Sequence, residues 1–168
     1  MAIEIERKFL LRGDAWRAMA HDRLRIAQAY LNSAEALSAG LERCSVRVRI
    51  SGASANLNIK SRELGPSRQE FEYPIPLADA ESLLALACEG RIDKIRHLVQ
   101  VGAHLWEIDE FAGDNAGLIV AEIELSHEHE VFEKPDWIGA EVTEQRRYFN
   151  LALSARPYNA WTAEEKTC

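Results

Sequence analysis

The chain has 168 residues, of which 47% are hydrophobic and 28% charged, and its formal net charge is −7. This length suits one globular domain over 1–168, and the composition can fill a core, which excludes extended disorder. The acidic balance argues against a general nucleic-acid binder or a protein held on an anionic membrane surface, so neither partner is expected.

The cysteines, Cys44, Cys88 and Cys168, are odd in number and widely spaced. No zinc-type spacing or disulfide framework is present, and reduced thiols are expected. No apolar run approaches the roughly 18 residues of a membrane span. The first residues lead straight into a charged segment rather than a secretory leader, and a cytoplasmic location is expected.

In chain order, residues 3–11 alternate as a strand, and 14–22 read as a short helix with Asp14 as its cap. Residues 26–32 form a strand that runs into a Ser/Ala/Gly-rich loop ending at Gly40. The stretches 43–51 and 55–62 alternate on either side of Gly52 and predict a hairpin. Gly65-Pro66 marks the next turn, before a strand over 68–76. Residues 79–89 predict a helix with Asp79 as N-cap and Gly90 as the stop. Strands follow at 91–101, 104–111 and 118–126. Residues 127–135 read as helical up to Pro135, and a last helix runs from Thr143 to about Ala155. Seven or eight short strands with few long helices indicate a β-dominated α+β fold built on an antiparallel sheet, curled or closed.

Successive side chains on a strand face opposite ways. One face therefore collects Glu4, Glu6 and Lys8; Arg47 and Arg49; Lys60; Glu70 and Glu72; Lys94 and Arg96; Glu107 and Asp109; Glu122 and Glu124. A solvated face mixes signs and neutral polar groups. Here the pairs are segregated by sign. Like charges two residues apart lie roughly 6.5–7 Å from each other and repel unless opposite charge is brought between them. A polyanion with a divalent cation supplies that charge. Guanidinium and ammonium groups clamp phosphate oxygens, and carboxylates are the hard donors that Mg2+ or Mn2+ takes. Six cations exceed what one phosphate needs and suit a triphosphate. They converge only if the sheet curls into a closed or nearly closed barrel with a polar interior.

Glu4-x-Glu6-x-Lys8, Arg47-x-Arg49, Lys60, Ser67-Arg68-Gln69-Glu70-Phe71-Glu72, Lys94-x-Arg96, Asp109-x-Phe111, Glu122-x-Glu124 and Gly139-x-Glu141-Val142-Thr143, in this order, resemble the CYTH superfamily of triphosphate tunnel metalloenzymes. Among them the pattern is most similar to the short bacterial inorganic triphosphatases. The resemblance implies an eight-stranded antiparallel closed β-barrel, the triphosphate tunnel, with helices outside and a C-terminal helix. It implies substrate contacts from Lys8, Arg47, Arg49, Lys60, Lys94 and Arg96. It implies metal binding or water activation by Glu4, Glu6, Glu70, Glu72, Asp109, Glu122 and Glu124, with Glu122 and Glu124 foremost, and it brings Tyr30 to the active site. The implied activity is Mg2+- or Mn2+-dependent hydrolysis of a small triphosphate, with inorganic tripolyphosphate favoured. A homodimer is compatible with the pattern.

Other residues invite a different chemistry. His127-Glu128-His129-Glu130 has metal-binding residue types but reads as a solvated turn, and His97 falls on the face opposite Lys94 and Arg96. No Gly-rich phosphate loop is present. A class IV adenylate cyclase or a thiamine triphosphatase would use the same tunnel. A non-catalytic polyphosphate- or nucleotide-binding module would keep the cations but would not need the carboxylates.

Overall fold

The computed structural model describes residues 2–61 and 67–167, with side chains from 5 to 61 and from 69 to 167. The expected Gly65-Pro66 turn, the Glu4 side chain and Cys168 lie outside this description. In chain order the elements are β1 (Ala2–Leu11), β2 (Asp22–Tyr30), α1 (Ala34–Ala39), β3 (Cys44–Ser51), β4 (Ser54–Ser61), β5 (Ser67–Pro74), α2 (Leu77–Leu84), β6 (Ile92–Val101), β7 (His104–Phe111), β8 (Ile119–Glu124), β9 (Ile138–Glu141), α3 (Asn150–Ala155) and α4 (Ala163–Lys166), joined by short 3-10 turns.

The nine strands form one antiparallel sheet in the order β5-β4-β3-β2-β6-β7-β8-β1-β9. β1 serves three partners in succession. Its residues 2–5 pair with β5, 6–10 with β8, and 9–11 with β9. The expected uniform closed barrel of eight strands is therefore corrected. Among the described residues the sheet has nine strands, ends on β5 and β9 and is not closed into a barrel, although residues 2–5 of β1, next to the β9 edge, also pair with β5.

Three apolar clusters fix the sheet's curvature. The outer face of β1 and β6–β8 packs Phe9, Val99, Trp106, Ile108 and Ile123 beneath Trp16 and Trp137. α2 covers β3 and β4 through Val48, Ala55, Ala80 and Leu83. The third cluster is internal. Leu10, Ile92, Phe111 and Val120 follow the charged residues along the same strand faces, and Tyr148, Leu153 and Trp161 close over them. Gly90 lets the C-terminal segment approach. Its N–H donates to the Ser154 carbonyl at 3.0 Å, and a Cβ there would lie 2.8 Å from that oxygen.

Several elements differ from the sequence-based expectation. The 14–22 helix is a 3-10 turn at Ala15–Ala18, and β2 begins at Asp22 instead of residue 26. The 33–42 loop contains α1. Ser33 caps it by accepting from the Ala36 N–H, and Gly40 ends it at φ 78°, where a left-handed residue costs glycine nothing. Its Ser/Ala/Gly composition spells the two ends of a short helix, not a loop. α2 begins two residues before Asp79, after Pro76, and stops six residues before Gly90. Residues 127–135 are not helical. Glu130 instead turns back to accept from the Ser126 hydroxyl at 2.7 Å and pairs with His104 at 2.9 Å, a local alternative to helical bonding. The last helix cannot start at Thr143, because Val142 and Thr143 are still tied to β1. The Val142 N–H donates to the Lys8 carbonyl at 2.8 Å, and the Lys8 N–H donates to the Thr143 hydroxyl at 3.0 Å. A 3-10 turn at 146–148 and α3 follow.

Candidate active site

The inner face of the sheet encloses a cavity of about 300 Å3. Glu6, Lys8, Tyr30, Arg47, Arg49, Lys60, Glu70, Glu72, Arg96, Glu122 and Glu124 line it, which places most of the sequence-predicted residues in one wall. The ladders explain the convergence. Lys8 stands opposite Glu122, Glu6 opposite Glu124, Tyr30 opposite Arg47, and Lys60 opposite Glu70. Opposite residues in a ladder project from the same face.

Lys94 and Asp109 depart from the expectation. Neither lines the cavity. They form an ion pair beneath its floor, with side chains 2% and 1% exposed. Burial pushes the Lys94 ammonium down to about 8, because Asp109 only partly offsets the desolvation and Arg96 adds a like charge. Asp109 grips Arg96 with both oxygens, accepting from Nε and Nη2 at 2.7 Å each. Arg96 in turn donates to Glu122 at 2.9 Å and to Glu107. Burial alone would raise the Glu122 carboxyl, but Lys8, Arg96 and Lys94 outweigh it and hold it well below the usual range. Lys8 contacts both Glu6 and Glu122, and these carboxylates override burial to raise its ammonium.

The β3 arginines are held differently. Arg47 has one ion contact, to Glu70 at 3.7 Å. Its Nε and Nη2, and the Arg49 Nε, are buried without a hydrogen-bond partner among the described residues. Burial and the like charges of Arg47 and Arg96 push the Arg49 guanidinium down to about 10. The carboxylates nearest these arginines are occupied by amides. Asn58 donates to Glu70 at 3.0 Å and to Glu72, and Asn56 donates to Glu72 at 3.0 Å. Leaving buried guanidinium nitrogens unsatisfied is costly in the ligand-free protein.

The carboxylates fit a hard divalent cation by donor type. Among the described residues no group of three or more His, Cys, Asp or Glu is arranged around a metal position. That suits Mg2+, which is commonly held by one or two carboxylates together with substrate phosphates. Glu6 and Glu124, opposite each other on β1 and β8, and Glu122 on the same face of β8 offer such donors singly or in pairs, not as one three-carboxylate cluster. His127 and His129 are exposed, in keeping with a solvated turn. His97 lies on the outer face, against Trp16 and Glu110.

Sequence reasoning missed part of the wall. Ser45 lines the cavity, as does Glu107, which was placed on the charged face but given no role, and Asn58 and Gln28 are fully buried. All four sit on faces already marked by Arg47, Asp109, Lys60 and Tyr30, so strand alternation carried the signal. Thr143, Phe149, Asn150 and Leu151 also line the cavity. All four arrive through long-range packing; Thr143 belongs to the Gly139-x-Glu141-Val142-Thr143 motif, while the other three left no local trace in the sequence.

The comparisons with known proteins agree with this geometry. The CYTH domain model matches residues 2–158. An inorganic triphosphatase of Acetivibrio thermocellus is 43% identical over 159 residues, covering 94% of this chain and 97% of the relative. An inorganic triphosphatase of Nitrosomonas europaea is 34% identical over 154 residues, covering 90% and 96%. The crystal structure of the inorganic triphosphatase NE1496 superposes with a TM-score of 0.64 at 31% identity, covering 92% of this chain and 95% of the other. With a family match over nearly its whole length and a charged cavity built from the strands that carry the motif, the chain belongs to the CYTH domain family.

Proposed function

We propose that this protein hydrolyses inorganic triphosphate in the cavity, in a reaction that depends on Mg2+ or Mn2+. The observation that carries this reading is the cation wall, in which Lys8, Arg47, Arg49, Lys60 and Arg96 line one cavity. The names of the two relatives support it. The β1–β5 ladder supports a tunnel around the substrate.

Lys8, Arg47, Arg49, Lys60 and Arg96 bind the phosphate chain and hold it in line for attack. Their charge stabilises what develops on the phosphoryl oxygens in a site from which most water is excluded. Lys94 and Asp109 act one layer down, by fixing Arg96. Tyr30, buried opposite Arg47, offers its hydroxyl to the wall. One or two of Glu6, Glu122 and Glu124, together with the substrate's phosphates, would hold the divalent ion, which when bound supplies Lewis-acid polarisation of a phosphoryl oxygen. A wall carboxylate takes the proton of the attacking water. Glu70 and Glu72, clamped by Asn56 and Asn58, serve to orient these amides and the nearby cations. The whole chain acts as a single domain, with a small triphosphate as its partner.

The test is phosphate release from tripolyphosphate, ATP and thiamine triphosphate with Mg2+ or Mn2+, alongside a cyclic-AMP assay. Release from tripolyphosphate above the other two is expected. Cyclic AMP as the main product, or faster turnover of thiamine triphosphate, would move the assignment to the cyclase or the thiamine triphosphatase. Binding without turnover of any substrate would leave a binding module.

A further inference from the structure

Gln28 is fully buried on β2, and its Nε2 and Oε1 both lack a hydrogen-bond partner among the described residues. In the β2–β3 ladder it stands opposite Arg49, so the two side chains leave the sheet on the same face. The Arg49 Nε is likewise buried and unpartnered. An unsatisfied amide beside an unsatisfied guanidinium is a donor and an acceptor awaiting alignment.

Arg96 shows what alignment achieves. Its Nε and one terminal nitrogen are fixed by Asp109, which leaves the fork in a set plane. Arg49 has no carboxylate in that position. A carboxylate would fix it but would also cancel its charge, whereas an amide oxygen fixes it and leaves the charge for the substrate. Asn58 repeats the arrangement one step along. It stands opposite Arg47, and its Oδ1 is also buried and unpartnered.

We propose that Gln28 is a positioning residue for Arg49: its amide oxygen accepts from the Arg49 Nε–H when triphosphate fills the cavity, aiming both terminal amino groups at the phosphate chain. This rests on the triphosphate reading above and adds a residue that never touches the substrate.

The experiment is calorimetric titration of tripolyphosphate into the full-length protein with EDTA present, so that binding is read apart from hydrolysis. Gln28→Leu should weaken binding about tenfold, the scale of one hydrogen bond to a charged group. Arg49→Lys has no Nε–H, so adding Gln28→Leu to it should change binding by less than about twofold, the behaviour of coupled residues. Equal factors in both backgrounds, or wild-type binding by a folded Gln28→Leu protein, would overturn the proposal. Should Gln28→Leu not fold, Gln28→Glu serves instead. It should raise the melting temperature by pairing with Arg49 and weaken binding by cancelling its charge, and unchanged binding overturns the proposal. Wild-type binding in EDTA with no phosphate release once Mg2+ or Mn2+ is restored would sink the activity reading alone.

Discussion

The interior of this sheet has two halves made by the same strands. One step along β1 the inner face changes from Lys8 to Leu10, along β6 from Lys94 to Ile92, along β7 from Asp109 to Phe111, and along β8 from Glu122 to Val120. The charged half surrounds the cavity, and the apolar half is sealed by Tyr148, Leu153 and Trp161. The apolar half supplies the folding energy that the charged half consumes. Buried ion pairs contribute little net stability and unpartnered guanidinium groups cost some, while a closed hydrocarbon cluster gains with each area removed from water. The difference teaches that the site is destabilised in itself and is held open by the packing next to it.

The comparison can be broken most sharply at Arg49. Arg49→Ala should lower kcat by about 100-fold or more, the scale of losing one preorganised charge-stabilising donor. Its melting temperature should be unchanged or higher, because a buried cation without a carboxylate bond is removed. A parallel loss of stability and activity would contradict the contrast between the halves.

Asp109 lies at the boundary. Asp109→Ala strands Lys94 and Arg96 together in a buried site and should destabilise the protein by about 3–5 kcal/mol, the scale of breaking a buried ion pair from one side. Urea unfolding measures this directly. In the apolar half, Leu153→Ala should cost about 2–5 kcal/mol through lost packing and a residual cavity. Its activity, read below the unfolding transition, should fall far less than that of Arg49→Ala.

Acid should act on the buried carboxylates of the charged half and also on the surface carboxylates Glu110, Glu130, Glu141 and Glu165, which their partners hold below the ordinary value. Burial raises the Glu122 and Asp109 carboxyls, but Arg96 and Lys94 at both, with Lys8 at Glu122, outweigh it and hold both below their unfolded values. Their stabilising contribution is therefore complete above about pH 4, the ordinary carboxylate value, and is lost as the pH falls through the depressed folded values. Urea midpoints measured at falling pH should drop over that window, and Glu122→Gln should flatten the drop. The smallest effect is expected at His129, exposed in the turn that follows β8. His129→Ala should alter stability by no more than about 0.5 kcal/mol and leave phosphate release unchanged.

The charged half was largely legible in the sequence because strand alternation is local. Glu6 and Lys8, Arg47 and Arg49, and Glu122 and Glu124 declare a common face without reference to anything distant. The same rule placed Glu107 on this face and would have added Gln28, Ser45 and Asn58, had neutral polar residues been followed as closely as the charged ones. Depth was not legible. Lys94 and Arg96 share a face, yet one lies under the floor and the other in the wall, because strand tilt and stagger set how far each position stands from the cavity. The apolar half was hidden for a related reason. Ile92, Phe111 and Val120 look like ordinary ends of amphipathic strands until the C-terminal segment is known to return and cover them.

The sequence by itself determined the strand periodicity, the side of each strand that bears charge, and the sign of that charge, since these follow from the two-residue repeat of an extended chain. Only the tertiary structure decided the ninth strand, the passage of β1 among three partners, the ion pairing of each carboxylate and the sealing of one end. Those depend on which distant segments meet, and the meeting is set by register, curvature and packing summed over the whole sheet.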